Sequence, residues 1–195
     1  MDVRLLVRGD RACFRRPEFA EDMVSYDVIT PLAARCVLEA VHAGAPFGWR
    51  IEEIRVLQPL RMTWMALAEV ERGAAVDGIV GGRRDRRMAQ VLTDVAYVVT
   101  ARAEVADPPA LFHEKVVRGR FVRPPCLGHR SFPAEIALLD EGAPLPEGAL
   151  AGSGAVDLGW MLHDYHEQSR ARFFRPTMID GVIDLRQPNS LILAG

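Results

Sequence analysis

The stretch Arg11–Gly44, RACFRRPEFAEDMVSYDVITPLAARCVLEAVHAG, constrains the fold of this chain more than any other. It joins a strand to a helix through a long loop dressed with cationic and aromatic side chains. Thr30 followed by Pro31 predicts an N-cap and the first helical position, because proline has no amide hydrogen to waste there. Leu32, Val37, Leu38 and Val41 then fall near helical spacing, giving one apolar face, and Gly44 stops the run. The loop ahead of the cap carries Phe14, Arg15, Arg16, Phe19 and Tyr26. Guanidinium groups bind phosphates and flat rings stack on unpaired bases. The plainer reading of the same residues is a solvated loop whose aromatics pin it to the core.

Either side of this stretch the pattern is mixed. Val3–Val7 (VRLLV) predicts a buried first strand. Ile51, Ile54, Val56 and Leu57, interrupted by polar residues, predict a second. Pro59 breaks it, and another strand follows from Met62 to Val70. Residues 73–90 hold Gly73, Gly78, Gly81 and Gly82 and then the run Arg83–Arg87 (RRDRR), which predicts a basic hairpin tip. The β-branched run Val91–Val105 leaves that tip as a long strand. Pro108 and Pro109 open a second helix that closes at Gly119. A basic segment follows, with Lys115, Arg118, Arg120, Arg123 and Arg130 and no acid between Lys115 and Arg130. The Pro- and Gly-rich residues 140–155 read as a loop or linker, and DLGWMLHDYH, RARFFRP and GVIDL as short strands.

This order predicts an α+β protein. Residues 1–135 form a ferredoxin-like βαββαβ domain with an extended hairpin at about 73–90, and residues 136–195 a small antiparallel β addition. With 195 residues, 49% of them hydrophobic, the chain is long enough for one substantial core. No apolar run approaches the ~20 residues of a membrane span, and the amino terminus carries no signal-peptide pattern, so a cytoplasmic protein is expected. The net charge of -2 conceals an asymmetry: residues 1–135 carry 20 basic and 18 acidic side chains, residues 136–195 carry 4 and 8. Of the 24 cationic residues all but Lys115 are arginine, which supplies planar forks suited to phosphate. Cys13, Cys36 and Cys126 are odd in number and widely spaced, which fits a reducing compartment and no metal signature.

Several catalytic patterns are absent: there is no GxxxxGK[ST], HExxH or GxSxG. His163 and His166 stand three apart in a predicted strand, where they point to opposite faces, so no metal site and no cofactor is expected. RNA can be cut without metal by moving protons to and from its own 2′-hydroxyl, given a group that titrates near neutrality and a cation for the phosphate. His42 at the end of the first helix, and His113 and Lys115 on the second, are the candidates. A helix-end histidine also serves simply to cap carbonyls.

The blocks ACFRRPEF, VSYDVITPLAAR, LEAVH, WRIEEIRVLQPLRM, LTDVAYVVTARAEV, PPCLGHRSFPA, DLGWMLHDYH and FFRP…GVIDL, in this order, resemble the type I-C CRISPR-associated family numbered five. The resemblance covers nearly the whole chain, and its most specific parts are SYDVITPLAAR and CLGHRSFPA. It implies a RAMP-type, RNA-recognition-like domain with a hairpin thumb. It further implies a Cascade subunit that binds the 5′ handle of the CRISPR RNA, in a family that processes the precursor repeat. Its partners would be the crRNA and pre-crRNA, the Cascade backbone and large subunits, and target DNA near the PAM. The implied RNA contacts are Arg15, Arg16 and Tyr26 in the first loop; Arg83, Arg84, Arg86 and Arg87 on the thumb; and Arg118, Arg120, Arg123, His129 and Arg130 after the second helix. The family's catalytic tyrosine position holds His42, and its Lys-His pair falls on Asp107 and Pro108, which supply neither cation nor proton shuttle. The alternative is therefore a catalytically inactive subunit that caps the crRNA and bridges its neighbours. Another is an interaction module facing protein through Trp160, Tyr165, Phe173 and Phe174.

Overall fold

The computed structural model describes residues 2–19, 22–42, 48–70, 84–103, 109–140, 142–166, 170–186 and 192–193. The first strand, β1 (Asp2–Ala12), buries Val3, Leu5 and Val7 on one face, as its alternation requires. After β2 (Met23–Val24) comes α1 (Pro31–Val41), whose Thr30 Oγ1 accepts the Ala33 amide at 3.1 Å while Pro31 takes the first turn. The helix buries Ala34, Val37, Leu38 and Val41 and ends at His42 in extended conformation; Gly44 lies outside the described residues. Then follow β3 (Trp49–Val56), β4 (Met62–Val70), β5 (Arg84–Ala103) and α2 (Pro109–Val117).

β5 organises the sheet. Its 20 residues, at ~3.3 Å each, reach roughly 65 Å. The first half pairs with β4 as a hairpin arm, from Val70↔Arg84 to Met62↔Leu92, and the second half lies between β1 and β3. Asp94, with φ 52, marks the change of partner; aspartate is among the few side chains that tolerate this left-handed region. β2 adds a short parallel pairing at Ala89 and Gln90. The basic run expected at the hairpin tip is thus partly strand: Arg84, Asp85 and Arg86 are laddered to Val70, Glu69 and Ala68. Residues 71–83, Arg83 among them, lie outside the described residues.

The remaining strands are β6 (Glu135–Leu139), β7 (Ala155–Asp157), β8 (Met161–His166), β9 (Arg170–Phe174), β10 (Thr177–Ile179), β11 (Val182–Asp184) and β12 (Ile192–Leu193). The large sheet runs β6-β1-β5-β3-β11-β10-β7, and β12-β9-β8 form a second. All described pairings except that of β2 are antiparallel, so the chain is a mixed α/β protein with few helices. The sheet takes strands from both sides of residue 135.

Two local expectations are corrected. DLGWMLHDYH is not one strand: Gly159, with φ +68, separates β7 in the large sheet from β8 in the small one. Residues 140–155 are not a free linker either. Ala149 donates to Leu57 O at 2.9 Å, and a Cβ on Gly148 would lie 2.5 Å from Val56 O, so the segment is strapped against the end of β3. Among the described residues no helix is long and apolar enough to cross a membrane.

Candidate functional site

The loop between β1 and α1 is held by its own polar groups. Ser25 Oγ accepts the Phe14 amide at 3.0 Å and donates to Tyr26 O at 2.8 Å, while Tyr26 N donates to Phe14 O and Arg16 N to Val24 O. Tyr26 is fully buried. Its hydroxyl accepts the Leu162 amide at 3.1 Å and lies 3.4 Å from Glu18, and the Arg16 guanidinium sits 4.5 Å from its ring centre. Burial pushes the phenol far above its usual range. This overturns the expectation that Tyr26 stacks on a base, because no face of the ring is open. Arg16 is likewise engaged, donating to Ser25 O and pairing with Glu18 and Asp27. Arg15 points outward and is exposed.

The CLGHRSFPA block docks on this loop. Cys13 N donates to Leu127 O at 3.1 Å, and Leu127 N to Phe132 O at 2.8 Å. Gly128, with φ +79, passes so close that a Cβ there would stand 2.1 Å from Cys13 O. His129 Nδ1 accepts the Ser131 amide at 3.2 Å, which leaves the ring proton on Nε2, and its ring packs 5.7 Å from Phe132. Arg130 is exposed.

The candidate catalytic residues separate into a pair and an outlier. Lys115 Nζ lies 2.9 Å from His42 Nδ1, across 73 residues of sequence. The C-terminal ends of α1 and α2 meet here, since Val122 N and Arg123 N both donate to Ala40 O, and Arg120 N donates to Lys115 O. Partial burial, and then the Lys115 charge, lower the His42 pKa below the usual histidine range. His113 is exposed and precedes Lys115 by two residues, about 200° around the helix; it is not part of this pair. Arg118 pairs with Glu114 at 2.8 Å, Arg120 is exposed, and Arg123 approaches Glu39 at 3.9 Å. Asp107 and Pro108 lie outside the described residues.

Arg15 and Arg123, 108 positions apart in sequence, line one cavity of about 430 Å3 together with Cys36, Cys126, Gly128 and Tyr165. Arg84, Arg86 and Arg87 stand on the hairpin strand instead, with Arg87 half-buried. Tyr165, for which the sequence suggested a protein-facing role, lines this cavity and is exposed. In the same strand Met161 and Leu162 are buried, a difference that the sequence DLGWMLHDYH does not show. Phe174, expected on a surface, is core at 2% exposure.

Solved structures share this architecture. A CRISPR-associated protein superposes with a TM-score of 0.71 at 19% identity, covering 98% of this chain and 96% of that one. A chain of a CRISPR RNA-guided surveillance complex gives 0.50 at 12% identity, covering 100% of this chain and 90% of that one. At these identities the likeness is one of fold. The sequence is more specific: the Cas5d family model, described as CRISPR-associated protein (Cas_Cas5), matches residues 2–186, and the chain belongs to this family. A relative from Mannheimia succiniciproducens, a CRISPR pre-crRNA endoribonuclease Cas5d, is 37% identical over 211 residues, covering 94% of each chain.

Proposed function

We propose that this chain is a type I-C Cascade subunit that holds the 5′ handle of the crRNA and cuts the precursor repeat. The observation that carries the reading is the His42–Lys115 contact of 2.9 Å at a junction flanked by Arg120 and Arg123. A charged lysine donating to Nδ1 keeps the imidazole neutral. When a scissile phosphate enters, its oxygens compete for the Lys115 ammonium and free Nδ1 to take the proton of the adjacent 2′-hydroxyl. The 2′-oxygen then attacks phosphorus, the bond to the 5′-oxygen breaks, and that oxygen takes its proton from Lys115 or water. The ammonium faces the charge that builds on the phosphoryl oxygens, where a fixed cation is most effective. The products are a 2′,3′-cyclic phosphate and a 5′-hydroxyl, with no metal in the balance.

The scaffold reading is a ferredoxin-like βαββαβ core. The strand order β6-β1-β5-β3, with α1 between β1 and β3 and α2 between β5 and β6, supports it. Residues 1–135 would do the RNA binding with the β4–β5 arm as thumb, and residues 136–195 would complete the sheet. Cascade backbone and large subunits, and target DNA beside the PAM, are the partners this position implies, in the cytoplasm.

The test is incubation of the purified chain with its cognate repeat RNA in EDTA, followed by end-group analysis. Cleavage to a cyclic phosphate is expected, slowed at least ~100-fold in His42→Ala, the scale of general acid–base catalysis. Tight binding without cleavage by the wild type would leave a purely structural subunit. Unchanged cleavage in His42→Ala would remove the pair from the mechanism.

A further inference from the structure

The 430 Å3 cavity between α1 and its surrounding loops has a composition that the cutting reaction does not use. Its lining includes Leu32, Ala33 and Ala40 of α1, which are apolar, and the two arginines Arg15 and Arg123. Tyr165, 47% exposed, lines it as well. Its backbone is held in place: Arg35 on α1 grips Asp164 through both guanidinium nitrogens, and Asp164 Oδ1 accepts the Tyr165 amide at 2.6 Å. The Tyr26 hydroxyl fixes the same strand from the loop side by accepting the Leu162 amide. β8 is thus tied to the first loop at Leu162 and to α1 at Asp164, which fixes the backbone that carries Tyr165.

An apolar slot of this volume with an exposed ring and two flanking guanidinium groups matches one ligand chemistry well. A flat, weakly polar heterocycle enters the cavity and stacks on the ring, with room left for its sugar, and the phosphates on either side of it meet the arginines. We infer that this cavity receives a single unstacked nucleobase of the bound RNA, with Tyr165 as the stacking face and Arg15 and Arg123 on the flanking phosphates. The inference rests on the RNA-binding reading above and adds a base subsite to it, beside the cutting pair. Val122 and Arg123 are bonded through their amides to Ala40 O, two residues before His42, so a strand held here continues directly toward the His42–Lys115 pair. Tyr26, the ring the sequence singled out for stacking, lies buried behind the cavity as its support.

The thiols provide a reporter. Cys36 is exposed, Cys126 partly so, and both line the slot, whereas Cys13 is buried. The full chain is treated with N-ethylmaleimide with and without its repeat RNA, and modification of each cysteine is followed by peptide mass spectrometry. With RNA at ~10 times its Kd, Cys36 modification should slow about tenfold, as simple occupancy requires. Abasic substitutions are then walked along the unpaired end of the RNA, against wild type and Tyr165→Ala. Tyr165→Ala should weaken binding by about 5–150-fold, the range for loss of one stacked base. One abasic position should cost wild type a similar factor and cost Tyr165→Ala nothing more, because both changes remove the same contact. Tyr165→Phe should bind as wild type. RNA that binds without protecting Cys36, or abasic penalties that are the same in both proteins, would overturn the base subsite while leaving RNA binding intact. Absence of RNA binding altogether would overturn both readings.

Discussion

The His42–Lys115 pair is a contact between two residues that the sequence separates by 73 positions, and its electrostatics set a direction that can be measured. Burial and the neighbouring ammonium both disfavour a protonated imidazole, so His42 titrates below the ordinary histidine value of about 6.5. The base form is therefore present at neutral pH, and the acidic limb of a cleavage profile should fall below that value. Replacing Lys115 by methionine removes the positive charge, makes protonation of His42 easier and raises its pKa. The acidic limb of kcat/KM for Lys115→Met should accordingly move to higher pH, on top of a lower plateau from loss of the cation. A limb that stays in place would mean that Lys115 carries no charge near the imidazole. Neither effect could be read from sequence. Helical spacing placed Lys115 on α2 and His42 at the end of α1, but it could not say that the two C-termini converge, nor that His113 turns away from the junction.

At the scale of elements, what was legible followed local rules. Thr30-Pro31 opens α1 because capping chemistry is local, and β1 obeys a two-residue period from Val3 to Val7, while β3 does so only on either side of a register shift after Ile51. The long strand β5 was seen only in part, since the charged residues Arg84–Arg87 look like a tip until β4 supplies a ladder for them. Tyr26 was misjudged for a related reason: an aromatic in a loop looks exposed until a second element, here β8, covers it. Loop-on-loop docking is similarly invisible in sequence, yet the Gly128 contact with Cys13 gives it a testable consequence. Gly128 and Gly152 both have positive φ, at +79 and +74, but only Gly128 has backbone where a Cβ would go. Gly152→Ala should therefore cost about 1 kcal/mol, the penalty of the left-handed region alone. Gly128→Ala adds displacement of the Cys13 carbonyl and should cost over ~2 kcal/mol, lowering Tm by roughly 4–8 °C for a chain of this size. Thermal unfolding of the two variants checks this, and equal losses would show that the 127–133 loop is free to move off the first loop. Because that loop also forms one wall of the cavity, Gly128→Ala should weaken RNA binding while Gly152→Ala leaves it unchanged.

For the whole molecule, the decisive quantity is where the charge sits. A net charge of -2 gives no overall attraction to a polyanion, so RNA affinity has to come from cations gathered on one face. The fold brings two of them, Arg15 and Arg123, to one cavity, and Lys115 to His42 beside the segment that carries Arg123. Many other arginines are committed to carboxylates, as in Arg35–Asp164, Arg55–Glu53, Arg102–Asp2 and Arg175–Asp157, and their charge is largely cancelled at short range. An ion-paired arginine and a solvent-facing one look alike in a composition count, which is why twelve candidate RNA contacts could be named from sequence while, among the described residues, Arg15 and Arg123 are the ones that share a cavity. The two populations differ in their response to salt. Each phosphate neutralised on a single strand contributes about -0.7 to the slope of log K against log salt, so five contacts give a slope near -3.5. Replacing Arg120 and Arg123 together by glutamine should shallow that slope by about 1.4. Removing the charges of Arg102 and Arg175, whose partners are the acidic side chains of Asp2 and Asp157, should leave it unchanged. Filter binding of repeat RNA between about 0.05 and 0.5 M salt measures both. A flat wild-type slope would show that these cations do not meet phosphate.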